Sequence, residues 1–132
     1  MNSSYEQALA YSSQEDGPEA RAFAEECWRE LGCEGLPPGV DYFLLDAGMQ
    51  AGKVSAVSWL RLSVQMEPSG PPDQTVLGLS WLLSAREIIH AIEVLRRRRA
   101  KADPLWPSFS SAMSNRITRA KGRALKMVQV YA

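Results

Sequence analysis

Apolar residues recur along this chain at intervals of three and four, and no stretch keeps the period of two that marks a half-buried strand. Residues 3–13 mix polar and apolar positions as a short helix. Gly17-Pro18 breaks the chain, and Pro18 suits a first helical position. In PEARAFAEECWREL, the residues Ala22, Phe23, Cys27 and Leu31 fall on one stripe. Glu19, Glu25, Glu26 and Glu30 lie largely outside it, and Gly32 stops the helix. LPPG is a rigid turn. The next helix carries Tyr42, Phe43, Leu44, Leu45 and Met49, apolar nearly all round as a central buried helix is, with Asp41 placed to cap it.

Gly52 ends that helix, and KVSAVSWLRLSVQM follows with Val54, Val57, Leu60 and Val64 near helical spacing. EPSGPPDQ reads as an exposed loop, and Thr75 to Leu83 as a short apolar helix. Ser84, with Glu87 three residues on, forms a capping box that opens SAREIIHAIEVLRRRRAKA, whose apolar face is Ile88, Ile89, Ile92 and Leu95. DPLWP makes another break. A last helix over roughly 108–130 sets Met113, Ile117, Ala120, Ala124 and Met127 along one side. The expectation is an all-α single domain, 1–132, of six or seven helices around one core. It divides into a short N-terminal helix and break (1–17), central helices (18–68) and C-terminal helices (73–132).

Composition adds the setting. A length of 132 residues, 45% hydrophobic and 23% charged, suits one globular domain with a real core. No apolar run approaches the ~20 residues that span a bilayer. MNSSYEQALAYSSQEDG shows neither the basic nor the apolar region of a cleavable signal, so synthesis in the cytoplasm and no membrane partner are expected. Cys27 and Cys33 make no disulfide framework, and His90 has no ligand cluster around it; neither metal nor cofactor is called for.

The net charge of zero conceals a split. Residues 1–50 hold ten acids and two bases, whereas residues 51–132 hold five acids and thirteen bases. Such a dipole allows internal pairing, head-to-tail association or a basic face for an anionic partner. The candidates for that face are Arg96, Arg97, Arg98, Arg99 and Lys101 at one helix end, where cations complement the helix dipole, and Arg116, Arg119 and Arg123 on the last helix. No aromatic residue interleaves with them, so stacking on single-stranded nucleic acid lacks support.

The stretch LPPGVDYFLLDAGMQAGKVSAVSWLR resembles the central motif of phage-type N-acetylmuramidases, lysozyme-like enzymes of the secretion-activator kind. That motif has the form L-P-x-G-x-x-x-x-x-x-D-x-x-V-N-x-G-x-x-x-A-x-x-x-L-Q. Leu36, Pro37, Gly39, Asp46, Gly52, Ala56 and Leu60 match it; Met49, Gln50 and Arg61 replace its Val, Asn and Gln. WPSFSSAMSNR is similar to the W-x-x-F-x-x-G-W-x-N-R pattern of the same family's peptidoglycan-binding C-terminal part. Trp106, Phe109, Asn115 and Arg116 match, with Ala112-Met113 in place of Gly-Trp. The resemblance extends over roughly residues 20–128 and implies a lysozyme-like helical fold, with peptidoglycan as a partner.

It also implies a general acid in an E-G-G helix end, for which this chain offers Glu15 in Glu15-Asp16-Gly17. Here the sequence departs from the family. Only twelve residues separate Glu15 from Trp28, so the glycine- and threonine-rich loop that shapes the family's cleft is essentially gone. A glycosidase acid needs a raised pKa from apolar surroundings, and SSQEDG is polar. Asp46, Gly48, Gln50 and Gly52 then form a structural junction: the buried carboxylate needs hydrogen-bonded partners and the glycines allow close helix approach. The leading expectation is a non-catalytic muramidase-fold phage or prophage protein, a virion-associated structural or partner-binding component that associates with a protein partner or with itself. The alternatives are a trimmed active hydrolase with Glu15 as acid, a phage-encoded inhibitor of a host protein, and a nucleic-acid binder.

Overall fold

The computed structural model describes residues 3–131, apart from the side chain of Ser3, and every regular element among them is helical. Seven α-helices run in order: α1 (Ser3–Asp16), α2 (Arg21–Glu30), α3 (Val40–Ala51), α4 (Lys53–Ser63), α5 (Gln74–Leu82), α6 (Ala85–Lys101) and α7 (Trp106–Tyr131). Two 3₁₀ turns, Pro18–Ala20 and Cys33–Gly35, lead into and out of α2. The expected all-α class and helix number are those observed.

Helix α3 is the axis. Every residue from Val40 to Gly48 is buried, and the helix packs against α1, α2, α4, α6 and α7. A helix apolar all round has no face to offer water, so its neighbours must enclose it. Gly48 is where α2 comes closest: a Cβ there would lie 2.7 Å from Leu31 Cδ1. Gly52 turns the chain from α3 into α4 at φ +99°, a conformation that L side chains rarely adopt. Helices α6 and α7 are antiparallel. Arg97 hydrogen-bonds Ser114 and Thr118, while Glu93, one turn earlier, pairs with Lys121, further along α7.

Several local expectations need correction. The buried stripe of α2 is Ala24, Cys27, Trp28 and Leu31, whereas Ala22 and Phe23 are exposed. The i, i+3, i+4, i+7 spacing of the observed set follows one helix face better. Val54 is 87% exposed, because only Ala56, Val57, Trp59, Leu60 and Arg61 of α4 turn inward. Asp41 does not stand at the N-cap, which is Gly39; it sits buried in the first turn of α3. Its Oδ1 accepts from the backbone N–H of Gly39 and Tyr42, and its Oδ2 from the Ser4 hydroxyl at 2.6 Å. Ser84 does cap α6, accepting from the Glu87 N–H.

The 67–73 loop is irregular but anchored. Arg61, 7% exposed, donates to the carbonyls of Glu67 (2.6 Å) and Pro71 (2.8 Å) and lies 3.7 Å from the Asp73 carboxylate. Asp73 in turn caps α5 by accepting from the Val76 N–H. No single helix among the described residues is long and apolar enough to cross a membrane.

Candidate functional site

Helix α1 ends in Glu15 and Asp16, Asp46 lies on the inner face of α3, and Arg116, Arg119 and Arg123 share a stripe of α7. The three sets meet. Arg116 donates from Nη1 and Nη2 to both oxygens of Asp16 (2.9 and 3.1 Å) and from Nη2 to Asp46 Oδ1 (2.9 Å). Arg96, reaching in from α6, donates from Nη2 to Asp46 Oδ2 at 2.6 Å. Asp46 and Arg96 are 2% and 1% exposed, so this carboxylate carries two guanidinium partners in a nearly dry interior. One face of the Arg96 guanidinium lies 5.4 Å from the centre of the Phe43 ring, which adds a cation–π contact. The carboxylates hold Arg116 firmly protonated against the cost of its burial, and its affinity for the proton is raised.

Glu15 lies one turn further along α7. Arg119 donates to both of its oxygens, and Arg123 reaches Oε2 at 3.3 Å. Arg123 also donates to Gln14 Oε1 and to the Tyr42 hydroxyl, and its guanidinium covers the ring of Tyr11 at 5.2 Å. The Arg119 hydrogen bond is the main reason that the Glu15 pKa falls below the usual 4.5. Partial burial opposes that shift, and the charges of Arg119 and Arg116 add to it. Tyr42 is shifted the other way: burial raises its pKa, so it stays a neutral phenol within this cluster.

Of the expected site residues, the fold joins Glu15, Asp46, Arg96, Arg116, Arg119 and Arg123 into one connected ionic network. Arg97 stands apart, bridging Glu93, Ser114 and Thr118 between α6 and α7. Arg99 donates to Ser55, and Arg98 and Lys101 pair with no acid among the described residues. Gln50 lines a cavity between α3, α4, α6 and α7, and Gly48 and Gly52 are the close contact and the turn described above. Sequence reasoning passed over Asp16 and Tyr42 as partners. The stripe Arg116, Arg119, Arg123 pointed to a face rich in donors, but which carboxylates lay opposite depends on how α1 crosses α7.

The charge split along the sequence is therefore largely spent inside the molecule. Arg116, Arg119 and Arg123 meet acids of α1 and α3, and Lys53 pairs with Glu26 and Glu30 of α2. No group of three or more metal-ligating side chains occurs among the described residues.

No family model and no curated protein matches the chain. A solved structure does: the fold is similar to that of Brucella abortus SagA, with a TM-score of 0.78 and 25% sequence identity. The match covers 83% of this chain and 64% of that one, so the chain spans just under two thirds of SagA's length. Asp46 and Arg116, which match the two muramidase motifs in the sequence, are direct partners in space.

Proposed function

We propose that this protein is a non-catalytic member of the muramidase-like fold that works by binding a protein partner. The observation that carries the first half is the state of Glu15. A general acid for glycoside cleavage must hold its proton near neutral pH, which takes an apolar pocket that raises its pKa. Glu15 instead carries two arginines and a lowered pKa. It is a fixed anion that ties α1 to α7. The shortened segment between Glu15 and Trp28 fits the same reading, since no loop is left there to wall a saccharide cleft.

The partner-binding half rests on α5. Trp81 and Leu82 at its C-terminal end are 59% and 81% exposed, and Leu83 beside them is 39% exposed. Three large apolar side chains side by side in water form the kind of patch that proteins cover with one another. A nucleic-acid reading draws less support: Arg96, Arg97, Arg116, Arg119 and Arg123 already have partners in the fold, so fewer charges remain to displace counterions.

The test is release of soluble muropeptides from purified peptidoglycan by the wild type and by Glu15→Gln. Neither protein is expected to release any, although both are folded. Release by the wild type that disappears in Glu15→Gln would replace this reading with that of a trimmed hydrolase. For the second half, sedimentation velocity of wild type and Leu82→Glu reads self-association. Concentration-dependent dimers lost in the variant would make a second copy the partner.

A further inference from the structure

Behind the Asp46 pair lies a cavity of about 150 Å³, lined by Gln50, Trp59, Arg96, Arg99, Phe109 and Met113. None of Glu15, Asp16, Arg116, Arg119 and Arg123 takes part in its wall, so it is separate from the cluster on which the proposed function rests. Arg96 is the unusual member. Its side chain is 1% exposed, and its one hydrogen bond goes from Nη2 to Asp46. Nε and Nη1 are buried with no hydrogen-bond partner. A guanidinium offers five N–H donors, and leaving such donors unpaired away from water is costly. Elsewhere this fold satisfies its buried arginine, since Arg61 reaches two carbonyls and a carboxylate.

The unused donors, the room beside them and the neighbouring charges call for the same complement. Asp46 cannot neutralise Arg96 alone, because it also accepts from Arg116. Across the connected network and the cavity wall, Arg96, Arg99, Arg116, Arg119 and Arg123 face Asp16, Asp46, Glu15 and the wall residue Asp103. That leaves one positive charge in excess. A single negative charge would balance it, whereas a doubly charged phosphate would overshoot and meet Asp103. Gln50 adds an amide donor, and Trp59, Phe109 and Met113 give an apolar wall for a short hydrocarbon stem. We propose that this cavity binds a monocarboxylate, with the carboxyl group on Arg96 and the stem against Trp59 and Met113. The ligand is either a small free acid or the terminal carboxylate of a peptide.

The test is titration of the full-length ¹⁵N-labelled protein with sodium propionate, replacing sodium chloride so that ionic strength is constant. Saturable shifts are expected at the Trp59 indole N–H and the Arg96 Nε–H, with a Kd on the order of millimolar for so small a ligand. Arg96→Met is expected to weaken binding roughly tenfold or more, as loss of a charge-assisted partner does. Because that variant also disturbs Asp46, Met113→Trp provides the control: it fills the cavity, leaves Arg96 in place and should abolish saturation. Shifts that do not saturate, that persist unchanged in Met113→Trp, or that phosphate or chloride reproduces equally would overturn the proposal. A short peptide and its C-terminally amidated form then identify the source. Competition by the free-acid peptide alone points to a peptide terminus, and no competition by either, with propionate still bound, points to a small acid.

Discussion

Asp46 and Arg116 lie 70 residues apart in sequence and are joined at 2.9 Å in the middle of the fold, with Asp46 2% exposed and Arg116 18%. A pair this deep is not strong evidence of net stabilisation, because both ions lose water to form it. Removing one partner is another matter. Asp46→Asn would strip two guanidinium groups of their shared anion and leave Arg96 charged in a dry site. The expected cost is about 3–5 kcal/mol of unfolding free energy, read by urea denaturation. Arg119→Ala, whose side chain is 49% exposed, should cost less than about 1 kcal/mol. Equal effects from the two substitutions would show that the Asp46 site is wet.

Asp41 and Glu15 should give the stability profile opposite slopes in different pH windows. Burial raises the Asp41 pKa from 3.8 to about 6, against the pull of its hydrogen bonds from Ser4, Tyr42 and Gly39. The folded protein therefore binds the Asp41 proton more tightly than the unfolded chain does. Its contribution favours folding at low pH and is lost as pH rises from about 4 to about 6. Asp41→Asn keeps the shape and removes the ionisation. The stability of wild type relative to this variant should fall across that window and then stay level, as measured by denaturation at a series of pH values. Glu15, with its lowered pKa, contributes stability that is present above 4.5 and lost as pH falls through its folded value. A rise for Asp41 in place of the fall would mean that its carboxylate is solvated.

Arg61 makes a separate prediction about the 67–73 loop. It holds two carbonyls of that loop and sits against Gly70, where a Cβ would come within 2.9 Å of its Cζ. Arg61→Gln cannot span the same partners. Amide exchange should accelerate between 67 and 73, and at Val76, whose cap residue Asp73 loses its neighbour, while α3 keeps its protection. Unchanged exchange in the loop would show that its prolines alone hold it.

The helices were legible because burial imposes the 3.6-residue period wherever a helix lies on the core. The all-round apolar run from Tyr42 to Leu45 announced α3 for the same reason. What periodicity could not give was rotation by one residue. Phe23 looked like a stripe member by hydrophobicity, yet Ala24 and Trp28 face inward. The candidate site was legible as a set of charges and illegible as a set of pairs. Five acids and bases, Glu15, Asp46, Arg116, Arg119 and Arg123, stood out by type or by motif. Their partners depend on where α1 crosses α7, and contacts about 100 residues apart leave no local trace. Arg96 lay hidden in a run of four arginines, where the expected reading is a solvated helix end. Only the fold turns that one residue inward.

Gly48 tests whether the close approach of α2 to α3 is a packing requirement. Two effects of alanine oppose each other here. Ala is favoured over Gly in a helix interior by roughly 1 kcal/mol, whereas overpacking a filled core costs about 1–3 kcal/mol. The new methyl would meet Leu31 Cδ1 at 2.7 Å, and Leu31 is fully buried, so it has little room to withdraw. Gly48→Ala should therefore be neutral to destabilising in the wild-type chain. With Leu31→Ala already present the obstacle is gone, and Gly48→Ala should become stabilising by up to about 1 kcal/mol. A double-mutant cycle by chemical denaturation measures the difference, and a coupling energy of about 1 kcal/mol or more in the favourable direction is expected. Additive effects would mean that α2 shifts freely to admit the methyl, and the glycine would then serve α3 in some way other than by letting Leu31 in.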